Sequence, residues 1–234
     1  MKRSMLLTPS ERYRSPQDLP SQIPVFPLRG VILLPRATLP LNVFEPRYLQ
    51  MLDDVMSGER VIGIVQPAGA GGEAGAESPP GKAVPLRTVG CAGRVTSYQE
   101  LDDGRIVISL SGVARFEALG ELESGRSYRV MRVAYDRFAE DFTEGANASS
   151  VDRERLLKVL KSYLEANRLK ADWTAIVNAP VELLVNALSV MSPYGPEEKQ
   201  ALLEAPDLKT RAEVLVALAE MELAASGSGG GTLQ

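Results

Sequence analysis

The sequence contains no histidine and only one cysteine, Cys91, among its 234 residues. A Ser-His-Asp or Cys-His catalytic arrangement is excluded because each requires an imidazole. A zinc site made of Cys and His ligands is also excluded, and an internal disulfide would need a second cysteine. The scarcity of thiols favours a reducing compartment, so we expect a cytoplasmic protein.

The chain also lacks long apolar runs and a strongly basic segment. No stretch approaches the roughly 18 uncharged apolar residues of a membrane span, so we expect no membrane partner. The net charge of −4 divides into +2 for residues 1–22, zero for residues 23–137 and −6 for residues 138–234. A protein that binds the phosphate backbone of nucleic acids usually carries a clear positive excess. The charge therefore disfavours a nucleic-acid partner.

Hydrophobic residues in the first part of the chain recur with a period of two. Apolar and polar residues alternate over residues 39–43 and 106–110, which predicts strands with one buried face. Residues 61–65 form a short apolar run, typical of a strand covered on both faces. Apolar residues at helical spacing after Pro46 predict one inserted helix. Many short strands separated by Gly and Pro favour a small closed barrel.

After residue 142 the hydrophobic period changes to 3.6. Apolar stripes over residues 156–164 and 181–191 predict two helices, and Pro196 and the N-cap residue Asp207 predict the start of two more. We therefore expect an α+β protein in which a β-barrel precedes a helical bundle. The expected division is a flexible N-terminal arm at 1–22, a barrel with one inserted helix at 23–142, a helical bundle at 143–225 and a flexible tail at 226–234.

No motif predicts a catalytic, cofactor-binding or metal site. Residues 76–83 resemble a phosphate-binding loop, but Ala76 and Ala83 stand where that motif needs Gly and Ser or Thr. Neither Gly-x-Ser-x-Gly nor Ser-x-x-Lys marks a nucleophilic serine. Cys91 lies in a strand pattern and is expected to be a small buried hydrophobe. We expect a protein that is not an enzyme and needs no cofactor.

The most specific pattern lies at the start of the barrel. It reads Ile-Pro-Val-Phe-Pro-Leu-Arg at 23–29, Leu-Pro-Leu at 39–41 and Glu-Pro-Arg-Tyr at 45–48. Gly-Cys-Ala-Gly-Arg-Val follows at 90–95, and Glu-Lys-Gln-Ala-Leu-Leu-Glu at 198–204. In this order the motifs resemble the N-terminal, substrate-binding domain of the Lon protease family. The resemblance extends over nearly the whole chain.

This resemblance implies a PUA-like β-barrel packed on a helical bundle, in a free-standing member without the ATPase and peptidase modules. It implies a non-catalytic module that binds unfolded or exposed polypeptide segments and acts as an adaptor in proteolysis or quality control. The implied partners are polypeptide clients and a separate ATP-dependent protease. Two other classes stay open: an RNA-binding PUA-like module, which the acidic helical part disfavours, and a peptidase, for which the sequence offers no catalytic constellation.

A polypeptide-binding module needs apolar surface that its own core does not use. The proline-rich opening of the barrel fits this need, and we expect it to border a shallow groove. The candidate surface consists of Val31, Ile32, Leu33, Leu34, Pro35, Phe44, Arg47 and Tyr48. The alternative is that these residues close the barrel and pack against the first helix. Arg29, Glu45 and Arg47 are expected to form an ion-pair network, unless Arg47 contacts a partner.

Overall fold

The computed structural model describes residues 12–69, 84–167 and 171–228. The strands of this part are β1 (Gln22–Pro27), β2 (Thr38–Val43), β3 (Val61–Pro67), β4 (Leu86–Glu100), β5 (Ile106–Leu122) and β6 (Val130–Ala134). Its α-helices are α1 (Pro46–Met56), α2 (Arg153–Ala166), α3 (Trp173–Asn178), α4 (Val181–Met191), α5 (Pro196–Glu204) and α6 (Leu208–Ser228). Short 3-10 helices span Pro16–Asp18, Asp136–Phe142 and Ala148–Ser150.

The strands form one six-stranded sheet in the order β2-β5-β4-β3-β1-β6. Strand β5 pairs with β2 through its first half and with β6 through its second half. The pairings of β5, β4, β3, β1 and β6 therefore form a closed ring. All neighbouring strands are antiparallel except β1 and β3, which are parallel. The fold is α+β, as expected, with the sheet built by the first part of the chain.

The loop between β1 and β2 crosses the sheet at Gly112 of β5. The amide of Arg36 donates a hydrogen bond to the carbonyl of Gly112 at 2.9 Å, and the amide of Gly112 donates to the carbonyl of Ala37 at 2.9 Å. A Cβ atom at Gly112 would collide with the carbonyl oxygen of Leu34. Glycine is therefore required there because the two backbones approach so closely.

The described part of the expected N-terminal arm is packed against the sheet. Tyr13 and Leu19 are buried. The Tyr13 hydroxyl accepts a hydrogen bond from Arg94 at 3.0 Å, and the Tyr135 hydroxyl donates to the carbonyl of Pro20 at 3.0 Å. Residues 12–22 of the expected arm are thus attached to the sheet by the buried side chains of Tyr13 and Leu19.

The other end of the chain differs from expectation in one respect. Residues 226–228, expected in a flexible tail, form the end of α6. Residues 1–11 of the expected arm, residues 229–234 of the expected tail and the loop-like residues 70–83 lie outside the described residues.

One of the two hydrophobic clusters among the described residues joins the sheet to the α-helices, and the other lies within the sheet and the segments beside it. Helix α6 packs against α2, α4 and α5, and α5 contacts β4. Buried side chains of the barrel, such as Phe26 and Leu110, belong to the same cluster as Leu184 and Leu202 from the helices. Within the described ranges, none of the helices has both the length and the apolar character that crossing a membrane requires.

Polar contacts fix the helices on the sheet. Arg36 donates through Nε to Glu182 at 2.9 Å and forms a second, short contact through Nη2. Gln66 of β3 donates through Nε2 to Gln200 of α5 at 3.0 Å. The side chain of Gln200 in turn donates to the carbonyl of Val89 at 3.2 Å. Because these groups are at least partly buried, their hydrogen bonds specify one orientation of the helices.

Candidate functional site

Most of the predicted binding surface lies inside the protein. The buried members are Ile32, Leu33, Leu34, Pro35 and Tyr48. The prediction is wrong for these five residues, because the hydrogen bonds at Gly112 hold the loop that contains the first four against β5. The alternative interpretation, in which such residues close the barrel and pack the first helix, agrees with their burial. Val31 is half-buried, and only Phe44 and Arg47 are exposed.

The two exposed members lie at the start of α1. Phe44 is 62% exposed, which is unusual for so large an apolar side chain. Arg47 donates two hydrogen bonds to Glu45, at 2.9 and 2.7 Å, and its guanidinium lies 4.6 Å from the centre of the Tyr48 ring. Arg29 instead donates to the carbonyl of Gly69 at 2.9 Å. The expected network of three residues is therefore reduced to the pair of Arg47 and Glu45.

The buried ring of Tyr48 packs beneath the exposed guanidinium of Arg47. Its ring stacks on Phe26 of β1 with a centroid distance of 4.0 Å and an interplanar angle of 21°. Burial raises the pKa of the Tyr48 hydroxyl, so the ring stays neutral at physiological pH. The stack attaches α1 to the barrel and holds Arg47 in position at the surface.

A larger apolar surface lies in the helical part of the chain. An open groove of about 370 Å³ runs between α2, α6 and the connection from α4 to α5. Its lining residues are Leu156, Val159, Leu160, Tyr163, Leu164, Asn167, Leu188, Met191, Ser192, Pro193, Tyr194, Leu215, Val216, Ala219 and Glu222. Met191 is 78% exposed, so part of the apolar lining is in contact with water.

The prolines after α4 explain why the groove stays open. Helix α4 ends at Met191, and Ser192 adopts an extended conformation (φ −61°, ψ 143°). A residue that precedes proline is restricted to such conformations, and Pro193 follows Ser192 directly. Gly195 is extended for the same reason, since Pro196 begins α5. The chain therefore leaves α4 as an extended segment, and Tyr194 of this segment lines the groove.

Few polar groups interrupt the apolar lining. Burial and the neighbouring Glu222 carboxylate raise the pKa of the Tyr163 hydroxyl. Burial also raises the pKa of Tyr194 to about 12. Both tyrosines are therefore neutral at physiological pH. The groove combines a wide apolar floor with a small number of hydrogen-bonding groups, which is typical of sites that bind apolar side chains.

Comparison with known families decides what kind of domain carries this groove. The model of the ATP-dependent protease La (LON) substrate-binding domain matches residues 22–220. The chain belongs to this family. Among curated proteins, the Lon substrate-binding domain of this chain is 26% identical over 213 residues to the Lon protease of Flavobacterium johnsoniae, with 88% of this chain and 25% of that protein covered. It is 29% identical over 206 residues to the Lon protease of Anaeromyxobacter dehalogenans, with coverages of 86% and 23%.

The chain thus spans about a quarter of the length of these Lon proteases. Among solved structures, a Lon N-terminal domain protein from Xanthomonas campestris matches with a TM-score of 0.57 and 23% identity, over 84% of this chain and 97% of that one. The N-terminal domain of a Mycobacterium avium complex Lon protease matches with a TM-score of 0.60 and 16% identity, over 85% and 98%. These two structures confirm the fold of a Lon N-terminal domain.

Proposed function

We propose that this Lon substrate-binding domain binds polypeptide segments with exposed apolar side chains. The groove between α2, α6 and the connection from α4 to α5 receives those side chains. The observation that carries the proposal is an open apolar groove whose rim residue Met191 is largely exposed. Membership in a substrate-binding domain family supports a polypeptide as the ligand. Unfolded segments are the natural clients, since folded proteins hide such side chains in their cores.

The size of the groove limits the strength of binding. Burying one Val, Leu, Ile, Phe or Met side chain contributes about 1.5–3 kcal/mol, and a volume of about 370 Å³ accommodates only a few of them. Ordering the bound segment costs part of this free energy. We therefore expect dissociation constants in roughly the micromolar to millimolar range. Such weak binding suits a module that must release its clients.

Phe44 and Arg47 form a second, smaller contact surface in this proposal. Strand β2, which ends at Val43, has β5 as its hydrogen-bonded neighbour and stands at the end of the strand order. An extended segment could add to the outer edge of β2, except opposite Pro40, which has no N–H group. A client side chain would then lie next to Phe44.

Substitution of the rim methionine tests the groove. We expect Met191→Asp to weaken binding of a fluorescently labelled, reduced and carboxymethylated α-lactalbumin by about 5-fold or more in fluorescence anisotropy, because a carboxylate disfavours the burial of apolar groups. Met221→Asp is the matched control, since Met221 is 68% exposed on α6 and does not line the groove. Equal affinity of both variants and the wild-type protein would exclude the groove as the site.

The second surface is tested in the same titration. Phe44→Asp should weaken binding by a smaller factor, and the double variant with Met191→Asp should be weaker than either single variant. If Phe44→Asp alone abolishes binding and Met191→Asp has no effect, the clients bind at α1 instead.

The partner and the other function classes need separate measurements. We propose that clients pass from this domain to an ATP-dependent protease, a role supported by its similarity to one part of the Lon proteases. Adding the protein should then accelerate degradation of the labelled polypeptide by such a protease. The Lon substrate-binding domain alone should not digest casein, with or without ATP. Filter binding to RNA should show no steep dependence on salt, which an RNA-binding module would show.

A further inference from the structure

One acidic side chain interrupts the apolar lining of the groove between α2, α6 and the connection from α4 to α5. Glu222 of α6 is half-buried, and among the described residues that line the groove it carries the one formal charge. Leu215, Ala219 and Glu222 follow one another at helical spacing, so they lie along one face of α6. The carboxylate therefore belongs to the groove itself.

Two tyrosines lie close to this carboxylate. The Tyr163 hydroxyl is within hydrogen-bonding reach of Glu222, and burial together with this carboxylate raises the pKa of the hydroxyl. Burial, and after it the neighbouring Tyr163 and Glu222, raise the pKa of Tyr194 to about 12. A carboxylate has about four acceptor positions, so the interaction with Tyr163 does not prevent Glu222 from accepting a hydrogen bond from a ligand.

The end of α2 adds negative potential near Tyr163. This tyrosine belongs to the last turn of α2, and both it and the exposed C-cap residue Asn167 line the groove. The C-terminal end of a helix carries roughly half a negative elementary charge. Helix α4 also ends at the groove, but Nζ of Lys199 donates hydrogen bonds to carbonyls of its last turn. The negative potential of the described lining therefore comes from Glu222 and from the end of α2.

The described basic side chains of α2 lie on other faces of the helix. The lining residues of α2 recur every three or four positions, and Lys158 and Lys161 fall between them, where they are exposed. Residues 138–234, which include every helix that borders the groove, carry a net charge of −6. The charge around the groove thus favours a cationic ligand in the same sense as Glu222.

We propose that the groove selects polypeptide segments in which a lysine or an arginine stands next to apolar side chains. The inference rests on the proposed function and narrows its class of clients. The apolar side chains lie in the groove, and the neighbouring ammonium or guanidinium donates a charge-assisted hydrogen bond to Glu222. Segments with an aspartate or a glutamate at the same place are disfavoured, because two carboxylates repel each other.

Three synthetic peptides that differ only in charge test this selection. The first is acetyl-Gly-Ser-Lys-Leu-Leu-Lys-Phe-Ser-Gly-amide, and the other two have glutamine or glutamate in place of both lysines. Each carries the same neutral fluorescent label and is titrated with the full chain in fluorescence anisotropy. We expect the lysine peptide to bind about 3- to 10-fold more tightly than the glutamine peptide, and the glutamate peptide to bind most weakly. In about 1 M NaCl, where the Debye length is about 3 Å, the advantage of lysine should shrink.

Two variants of equal net charge locate the origin of the preference. Glu222→Gln should make the affinities for the lysine and glutamine peptides nearly equal. Glu220→Gln should keep the preference, since Glu220 is exposed, pairs with Arg155 and does not line the groove. A preference for lysine that survives Glu222→Gln would overturn the proposal.

The same titrations separate this inference from the proposed function. If the three peptides bind equally well and Met191→Asp weakens all of them, the groove binds apolar segments without regard to charge, and only the inference about charge is wrong. If neither the peptides nor the labelled α-lactalbumin bind, the proposed function fails and this inference fails with it.

Discussion

Arg115 and Asp141 form a two-point ion pair inside the protein. Nε of Arg115 donates to Oδ2 at 2.9 Å and Nη2 donates to Oδ1 at 2.8 Å, while the backbone amide of Arg115 also donates to Oδ2 at 2.9 Å. The remaining nitrogen, Nη1, donates to the carbonyls of Leu203 and Ala205 at 3.2 and 2.5 Å. One side chain of β5 therefore links the segment after the barrel to the end of α5. Both charges are buried, so each replaces the water that the other has lost.

Neutralising this carboxylate should strongly destabilise the fold. We expect Asp141→Asn to lower the free energy of unfolding by about 3–5 kcal/mol, because it leaves the buried Arg115 without a counter-charge. Urea unfolding followed by circular dichroism measures the change. The control is Asp103→Asn, which removes an exposed pair with Arg105 and should cost less than about 1 kcal/mol. Equal losses in the two variants would contradict the role assigned to the buried pair.

A methyl group at the loop crossing should also be poorly tolerated. Gly112→Ala places a Cβ atom against the carbonyl oxygen of Leu34, where backbone hydrogen bonds of Gly112 with Arg36 and Ala37 hold the two segments together. We expect a loss of about 1–3 kcal/mol in the free energy of unfolding. Gly58→Ala is the control, since its nearest neighbour atom would lie at an ordinary distance of 3.7 Å. If Gly112→Ala is as stable as Gly58→Ala, the two backbones do not approach each other at Gly112 as closely as described.

The single thiol should be unreactive in the folded protein. Cys91 of β4 is fully buried, and burial raises the pKa of its thiol far above the usual range, with Asp141 adding to the effect. We expect no reaction with Ellman's reagent at pH 8 under native conditions and complete reaction in guanidinium chloride. Because the chain has one cysteine, the absorbance reports this site alone. Rapid native labelling would show that β4 opens far more readily than its burial implies.

The buried amine of Lys199 should make the free energy of unfolding increase as the pH becomes alkaline. Nζ donates to the carbonyls of Ser189 and Val190 at 2.9 and 2.5 Å, and burial lowers the pKa of Lys199 from 10.5 to about 8. Between these two values the unfolded chain binds more protons than the folded one. The free energy of unfolding should therefore increase with pH over this window, relative to a variant that lacks the amine.

The measurement is urea unfolding at several pH values from 7 to 10.5 for the wild type and Lys199→Met. As the pH rises, the free energy of unfolding of the wild type should increase relative to that of Lys199→Met. Tyrosines titrate in both proteins, so their contributions cancel in this difference. Lys209→Met, which removes an exposed lysine, should follow the wild type. A difference between wild type and Lys199→Met that stays constant with pH would show that the pKa of Lys199 is unchanged by folding.

Much of the fold is predictable because buried apolar residues recur along the chain at the spacing of a strand or of a helix. The alternation at residues 39–43 and the apolar run at 61–65 correspond to β2 and β3. Helix α1 begins at Pro46 as expected, and Asp207 caps α6 by accepting a hydrogen bond from the amide of Thr210 at 2.7 Å. The hydrophobic pattern does not predict the short helix α3, because this helix has too few residues to establish a period.

The sites were less predictable, because they depend on contacts between distant parts of the chain. The run at residues 31–35 shows that apolar side chains avoid water, but only the approach to Gly112 determines what covers them. Leu160 and Leu164 belong to one helical stripe, yet the groove requires the extended segment at Pro193. Arg115 and Arg211 are charged residues, which are usually exposed, so no local signal identifies them as buried.

The apolar cluster common to strands and helices has a mechanical consequence. Phe26 of the sheet and Leu202 of the helices belong to the same cluster. The sheet and the helices therefore cannot separate around a client without exposing this cluster to water. If the proposed function holds, client segments therefore bind to a surface whose two halves stay together, and any adaptation of shape falls to the incoming chain.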